Sequence, residues 1–287
     1  MKPQELKTKI FLDGGDPQET REIRELLGFL DGQTTNPTLI AKNPLVQARL
    51  ARGERFTKEE IYALYRDVVR EISRLIPEGS VSVEVYADAG TSAEDMITEG
   101  VDMFLWIPNA HVKFPINPAG LAAAEILMKS KIHVNMTLCF TEEQAAAVHA
   151  ATRGAALGNV FVSPFVGRLD DCGINGMQLV ENILGMYRDV GGHVQVLTAS
   201  VRSLAHFMRA LQLGSDIITA PAGILREWAE ARMPLPGPDF VYHDAHLAPI
   251  QKSTLDLSRP ARKYKIAHEL TDAGIARFAS DWNALIA

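Results

Sequence analysis

Strand-length apolar runs recur eight times along this chain, and each is followed by a segment of helical period. The runs are TKIFLD (8–13), GFLDG (28–32), VSVEVY (81–86), HVKFPI (111–116), IHVNMTLCF (132–140), VFVSPF (160–165), VQVLTAS (194–200) and DIITAP (216–221). Strand then helix, repeated eight times, is the pattern of an α/β fold built as a single (β/α)8 TIM barrel. Such a barrel needs roughly 200 to 250 residues. It fits within residues 1–232 and leaves 233–287 as a C-terminal extension, a loop and helix packed on the barrel. A doubly wound open sheet is the alternative, but no glycine-rich phosphate turn follows an early strand to support it.

Helix boundary signals fall between the runs. Asp16-Pro17 with Glu19 opens a helix that Gly28 can close, and TKEE (57–60), TSAE (91–94) and TEEQ (141–144) carry capping-box spacing. Asn117 as N-cap and Pro118 at the first helical position open NPAGLAAAEILMKS. MFLWIP (103–108) has strand length, but a strand there would leave almost no connection to the next one, so it is assigned to the end of the preceding helix. Beyond residue 232 the periodicity lapses. The segment MPLPGPDFVYHDAHLAPIQKSTLDLSRPARKY carries five prolines, reads as an ordered loop or lid, and precedes a helix over 271–286.

Composition narrows the function classes. A net charge of -6 without long runs of one sign gives no electrostatic footprint for nucleic acid. No apolar run approaches membrane-spanning length and the start MKPQELKTK lacks the apolar core of a secretion signal, so a cytoplasmic protein without a membrane partner is expected. Cys139 and Cys172 have neither metal spacing nor a disulfide framework and read as free thiols. His243 and His246 form an i, i+3 pair without a third ligand nearby, so no metal site is assigned and a solvated loop is expected.

The stretch NAHVKFPIN (109–117) poses a chemical question, because Lys113 stands between Val112 and Phe114. An edge strand or a snorkelling stem would explain it. An apolar setting can also desolvate the amine, depress its pKa and make it a nucleophile. In a barrel, chemistry gathers where strands end. Asp13, Thr34, Thr35, Asn36, Glu84, Asn135, Thr137, Ser163, Arg168, Ser200 and Arg202 all fall in or just after the runs. Each has an ordinary explanation when taken alone: Asp13 as a helix cap, Thr35 and Asn36 as the turn before Pro37, Arg168 as a surface partner of Asp170 or Asp171. Together they supply an amine, carboxylates, amides, hydroxyls and guanidinium groups. That set suits carbonyl chemistry on a phosphorylated polyol.

The segments FLDGGDP, GQTTNPTLIAKNP, SVEVYA, VKFPINPAGLAA, VNMTLCFTEEQA, SPFVGRLDD and TASVRS resemble, in order and spacing, the signatures of the transaldolase family across residues 8–225. The resemblance implies a barrel that needs no cofactor, acts on sugar phosphates and carries a dihydroxyacetone unit on a lysine Schiff base. Lys113 in VKFP then matches the Schiff-base lysine and Asp13 in FLDG the acid/base. Glu84 in SVEV and Thr137 in NMTLCF match the groups that hold the catalytic water, an arrangement in which the carboxylate need not pair directly with the lysine. Asn36 and Asn135 match amides that bind the dihydroxyacetone hydroxyls. Arg168, Ser200 and Arg202 match the phosphate site, and Ser163 and Phe165 complete the substrate-binding set.

Two features depart from the family pattern: Val201 stands where an aromatic is common, and Gly14-Gly15 replaces small polar residues. Phe165 is the residue expected in a transaldolase, whereas aldolases of the family tend to carry tyrosine. A fructose-6-phosphate aldolase releasing free dihydroxyacetone is therefore the alternative activity, and a non-catalytic sugar-phosphate-binding barrel a further one. A homo-oligomer is compatible with all three.

Overall fold

A computed structural model of the chain describes residues 2–237 and 239–287. Eight strands form a closed, all-parallel barrel: β1 Lys9–Asp13, β2 Gly32–Thr34, β3 Ser80–Glu84, β4 Ala110–Pro115, β5 Val134–Cys139, β6 Val160–Pro164, β7 Val194–Thr198 and β8 Ile217–Ala220. Closure is made by β1 against β8, with Lys9 opposite Ile217 and Leu12 opposite Ala220. The helices are α1 Pro17–Leu27, α2 Pro37–Ala41, α3 Pro44–Leu50, α4 Lys58–Leu75, α5 Ala93–Phe104, α6 Pro118–Lys129, α7 Glu142–Ala151, α8 Val166–Asp171, α9 Gly176–Arg188, α10 Leu204–Leu213, α11 Ala222–Glu230 and α12 Glu269–Asn283. The expected (β/α)8 barrel is what the chain forms.

Local signals behave as their chemistry dictates. Asp16 accepts from Gln18 N at the start of α1, and Gly28 at φ 75 closes that helix. Thr57 and Glu60 form a reciprocal capping box, and Asn117 caps α6 ahead of Pro118. The box expected at 91–94 lies one residue on, at Ser92 and Asp95. At TEEQ, Thr141 caps α7, while Gln144 turns its oxygen to Phe140 N instead of closing the box. MFLWIP spans the end of α5 and the turn after it.

The second strand is a correction. It runs over Gly32–Thr34, beyond the expected 28–32, because Gly28 is spent on the helix cap and the paired residues are polar. Gln33 is fully buried, accepting from Thr20 Oγ1 at 2.7 Å and donating to Gly14 O at 2.9 Å. Hydrogen bonding, not apolarity, makes that burial tolerable.

Alternation along each strand sorts the barrel interior into layers. Toward the N-terminal mouth lie Phe11, His111 and Phe161, with Gly32 leaving room for the Phe11 ring, which a Cβ there would meet at 2.5 Å. Toward the C-terminal mouth lie Asp13, Thr34, Lys113, Thr137, Ser163 and Thr219. The tail returns to this mouth. Ala248 exchanges hydrogen bonds with Gly173 and Asn175, Ser253 N donates to Glu142, and Gln144 Nε2 reaches Ile266 O and Thr271 Oγ1. These contacts seat α12, which begins at Glu269 and ends at Asn283, against α2 and β5. No helix among the described residues is long and apolar enough to cross a membrane.

Candidate active site

The C-terminal mouth opens into a cavity of about 520 Å3, a size suited to a small ligand. Lys113 projects into it from β4 and is 3% exposed. Its Nζ lies 2.8 Å from Glu84 Oε2 and 3.0 Å from Thr35 O. Register explains the pairing: Glu84 and Lys113 are directly opposite on β3 and β4. The contact departs from the expectation that Glu84 would act without pairing directly with the lysine. Both side chains are almost wholly buried, so attraction between an ammonium and a carboxylate there is little screened by solvent. Burial is the largest influence on Glu84 and raises its carboxyl above the usual range, while Lys113 and then Arg168 pull it back.

The geometry leaves unused bonding capacity beside the amine. Among the described residues, Glu84 Oε2, despite its closeness to Lys113, has no aligned hydrogen-bond donor, and Thr137 Oγ1 is buried with no hydrogen-bond partner. A buried unpaired polar group costs about 1 to 3 kcal/mol. Asp13 ends β1 and accepts from Thr34 Oγ1 at 2.6 Å, and Thr34 in turn bonds Thr219 Oγ1 at 2.6 Å. Since Thr34 donates to the carboxylate, Thr219 donates to Thr34. Burial raises the Asp13 carboxyl as well, with Thr34, Lys113 and Lys42 opposing.

The amides behave differently from each other. Asn36 Oδ1 caps α2 by accepting from Leu39 N at 2.9 Å, yet the residue still lines the cavity. Asn135 lies one layer deeper, donates to Ser82 Oγ at 3.0 Å and accepts from Ser163 Oγ at 2.6 Å. Ser163 lines the cavity, whereas Asn135 does not.

The far side of the cavity is cationic. Arg168 lies over the rings of Phe165 and Phe278, at 5.2 and 5.4 Å from their centroids, and has no carboxylate within ion-pair distance among the described residues. The acids named as its possible surface partners are taken: Asp170 by His206 at 2.7 Å and Asp171 by Arg202. Arg202 is half exposed in that pair, and Ser200 precedes it in a left-handed conformation at φ 58. Such a conformation costs on the order of 1 to 3 kcal/mol in a non-glycine residue and is a frequent companion of binding sites. Two glycines make room for the guanidinium groups. A Cβ at Gly167 would come within 2.6 Å of Arg202 Nε, and one at Gly274 within 2.7 Å of Arg168 Nη1.

The mouth thus gathers a buried amine touching a carboxylate, a second raised carboxyl, and a guanidinium without a carboxylate partner among the described residues. Residues 10–287 match the profile of the family described as Transaldolase/Fructose-6-phosphate aldolase. The chain belongs to this family. A probable transaldolase of Dehalococcoides mccartyi is 33% identical over 277 residues, covering 96% of this chain and 99% of that protein. Another from Dinoroseobacter shibae is 34% identical over 274 residues, 96% of each chain. A third, from Leptospira biflexa, is 38% identical over 215 residues, 75% of this chain and 87% of its own.

Several cavity residues of this transaldolase-family member escaped the sequence reading. Lys42, Thr219, Arg277 and Phe278 line the cavity together with the residues named from sequence. Lys42 lies inside the quoted GQTTNPTLIAKNP segment but on no strand end. Arg277 and Phe278 belong to α12, whose pattern is that of any amphipathic helix. The cysteines are free, Cys139 buried and Cys172 exposed at the cavity rim, and His243 and His246 are both exposed.

Proposed function

We propose that the protein is a transaldolase that moves a dihydroxyacetone unit between a ketose phosphate and an aldose phosphate through a Schiff base on Lys113. Sedoheptulose 7-phosphate with glyceraldehyde 3-phosphate, giving erythrose 4-phosphate and fructose 6-phosphate, is the exchange it would run in the cytoplasm. The observation that carries the reading is Lys113 Nζ at 2.8 Å from a carboxyl that burial has raised. A carboxyl so raised and so near can hold the lysine's proton while the amine adds to the C2 carbonyl. Water then leaves the carbinolamine, with Glu84 and the free Thr137 hydroxyl beside it to guide the proton.

In the protonated imine, Asp13 takes the C4 hydroxyl proton as the C3–C4 bond breaks and its electron pair moves into the imine. The aldose phosphate departs and an enamine remains on Lys113. A second aldose phosphate accepts the C3 carbon, Asp13 returns the proton to the new hydroxyl, and hydrolysis frees the product. Asn36, Asn135 and Ser163 are assigned to the dihydroxyacetone hydroxyls. Arg168, Ser200 and Arg202 are assigned to the phosphate, which suits the paired donors of a guanidinium.

Transfer is favoured over release by Phe165, which lines the cavity and has no hydroxyl to direct water at the intermediate. Purified protein with fructose 6-phosphate and erythrose 4-phosphate should form sedoheptulose 7-phosphate much faster than it frees dihydroxyacetone without acceptor. Phe165→Tyr should shift that balance toward release. Rapid multiple-turnover release by the unmutated protein would replace this reading with the aldolase. Borohydride added with fructose 6-phosphate should label the peptide holding Lys113, and a label on another lysine would refute the assignment.

A further inference from the structure

Tyr65 lies on α4, outside the barrel, and is 1% exposed. Its hydroxyl nevertheless reaches both residues that grip Lys113. Glu84 N donates to Tyr65 Oη at 2.9 Å, and Tyr65 Oη lies 2.7 Å from Thr35 Oγ1. Thr35 Oγ1 itself donates to Ser82 O at 2.7 Å. With one proton on each hydroxyl, the direction is set: Glu84 N–H to Tyr65, Tyr65 O–H to Thr35, Thr35 O–H to the Ser82 carbonyl.

The reason for this substitution lies in the sheet. The β2–β3 ladder ends at Thr34 opposite Ser82, with one more bond from Thr35 N to Ser82 O, because the chain turns away at Asn36 to begin α2. Glu84 N therefore finds no ladder acceptor on β2, and the tyrosine hydroxyl takes that place. Thr35 O and Glu84 Oε2 are the two atoms against Lys113 Nζ, so the phenol joins the two shoulders of the amine. The ring is fixed by Trp106 and Trp282, at 5.7 and 5.9 Å between centroids, and Trp282 belongs to the same α12 that brings Phe278 and Arg277 to the cavity. Burial raises the phenol further above its usual range, so it stays a donor at every working pH.

We infer that Tyr65 is a positioning residue for imine formation, holding the Thr35 carbonyl and the Glu84 carboxylate in register with Lys113. The inference rests on Lys113 being the Schiff-base lysine. Tyr65→Phe keeps the ring between the two tryptophans and removes only the hydroxyl. It should slow single-turnover trapping by borohydride and fructose 6-phosphate on the order of 10- to 100-fold, as small misplacements of a reacting group do. KM should stay within about threefold. The kcat/KM against pH profile should also move, since Tyr65 holds the backbone of Glu84, whose buried carboxyl is raised above its usual range. A purely structural role would reduce the amount of trappable protein and leave the trapping rate and the pH profile at wild-type values, which would overturn the inference. Should Tyr65→Phe not fold, Thr35→Val breaks the same chain from its other end, with the same slowing expected and an unchanged rate again refuting it. No trapping in the wild type would overturn the Schiff-base reading and this inference together, whereas normal trapping in both proteins would overturn only this one.

Discussion

Two titratable residues on the same face of β4, His111 and Lys113, are both buried and differ in almost everything else. His111 stands near the N-terminal mouth, with Nδ1 2.7 Å from Ser80 Oγ, Nε2 2.9 Å from Gly158 O and its ring stacked on Phe161 at 4.0 Å. Both nitrogens are satisfied by a neutral ring that donates to the carbonyl and accepts from the serine. Burial pushes its pKa down to about 3, aided by His133 and Lys9 and opposed by the Gly158 hydrogen bond. Lys113, one layer up, shares its cavity with the Thr137 hydroxyl and touches Glu84 Oε2, two oxygens without an aligned donor or acceptor among the described residues. Burial of an ionisable group is therefore common to both mouths of this barrel. Unused bonding capacity beside it separates Lys113 from His111.

The sharpest test removes the amine. Lys113→Met should lower turnover by a factor on the order of 10⁴ or more, as loss of a covalent nucleophile does. His111→Phe should leave kcat within about twofold of wild type. Comparable losses of turnover from the two would erase the distinction between the mouths.

Acid stability should separate them next. The unfolded His111 takes a proton near the ordinary imidazole value of 6.5, the folded one only at about 3, so stability present above pH 6.5 is lost as the pH falls toward 3. The loss is on the order of 5 kcal/mol, and His111→Phe should abolish it in urea melts across that range. Asp13 has the opposite sign. Its folded pKa is raised above 3.8, so stability is lost as the pH rises through that window, and Asp13→Asn should remove the decline. Matching pH–stability curves for wild type and both variants would refute the two assignments.

Within the C-terminal mouth, Arg168→Ala should cost about 1.5 to 3 kcal/mol in kcat/KM for phosphorylated substrates and little for unphosphorylated ones. Arg202→Ala should cost less, since that side chain is half exposed and neutralised by Asp171. Equal penalties on both substrate types would mean that Arg168 supports the fold.

The smallest contrast uses hydroxyls. Thr137→Val removes an unpaired buried oxygen and should raise stability by up to about 1 kcal/mol while slowing catalysis. Ser80→Ala removes a paired one at the other mouth and should lower stability by about 1 kcal/mol with kcat unchanged. Calorimetry and steady-state kinetics on the pair decide it, and a Thr137→Val protein that is less stable and fully active would reverse the argument.

Much of this site was legible because parallel strands deliver their C-terminal residues to one rim whatever the loops do. Asp13, Lys113, Thr137 and Ser163 could thus be collected from sequence before any contact was known. Gln33 and Thr34 hid the second strand because polar side chains paid for by internal hydrogen bonds look like a turn. Tyr65, Arg277 and Phe278 were unreadable for a different reason. They sit on helices, where an inward aromatic or an outward arginine is ordinary, and only the packing of α4 and α12 turns them toward the amine and the cavity.

By itself the sequence determined the alternation of strand and helix, most of the caps, the barrel and the family, because periodicity, capping chemistry and motif spacing are local properties of the chain. Tertiary structure decided which polar atoms meet. The direct Lys113–Glu84 contact, the engagement of Asn135 by Ser82 and Ser163, the pairing of Arg202 with Asp171 and the freedom of Arg168 each depend on residues far apart in sequence. In a buried layer, every donor and acceptor competes for the same few partners, and only the closed barrel determines who is within reach.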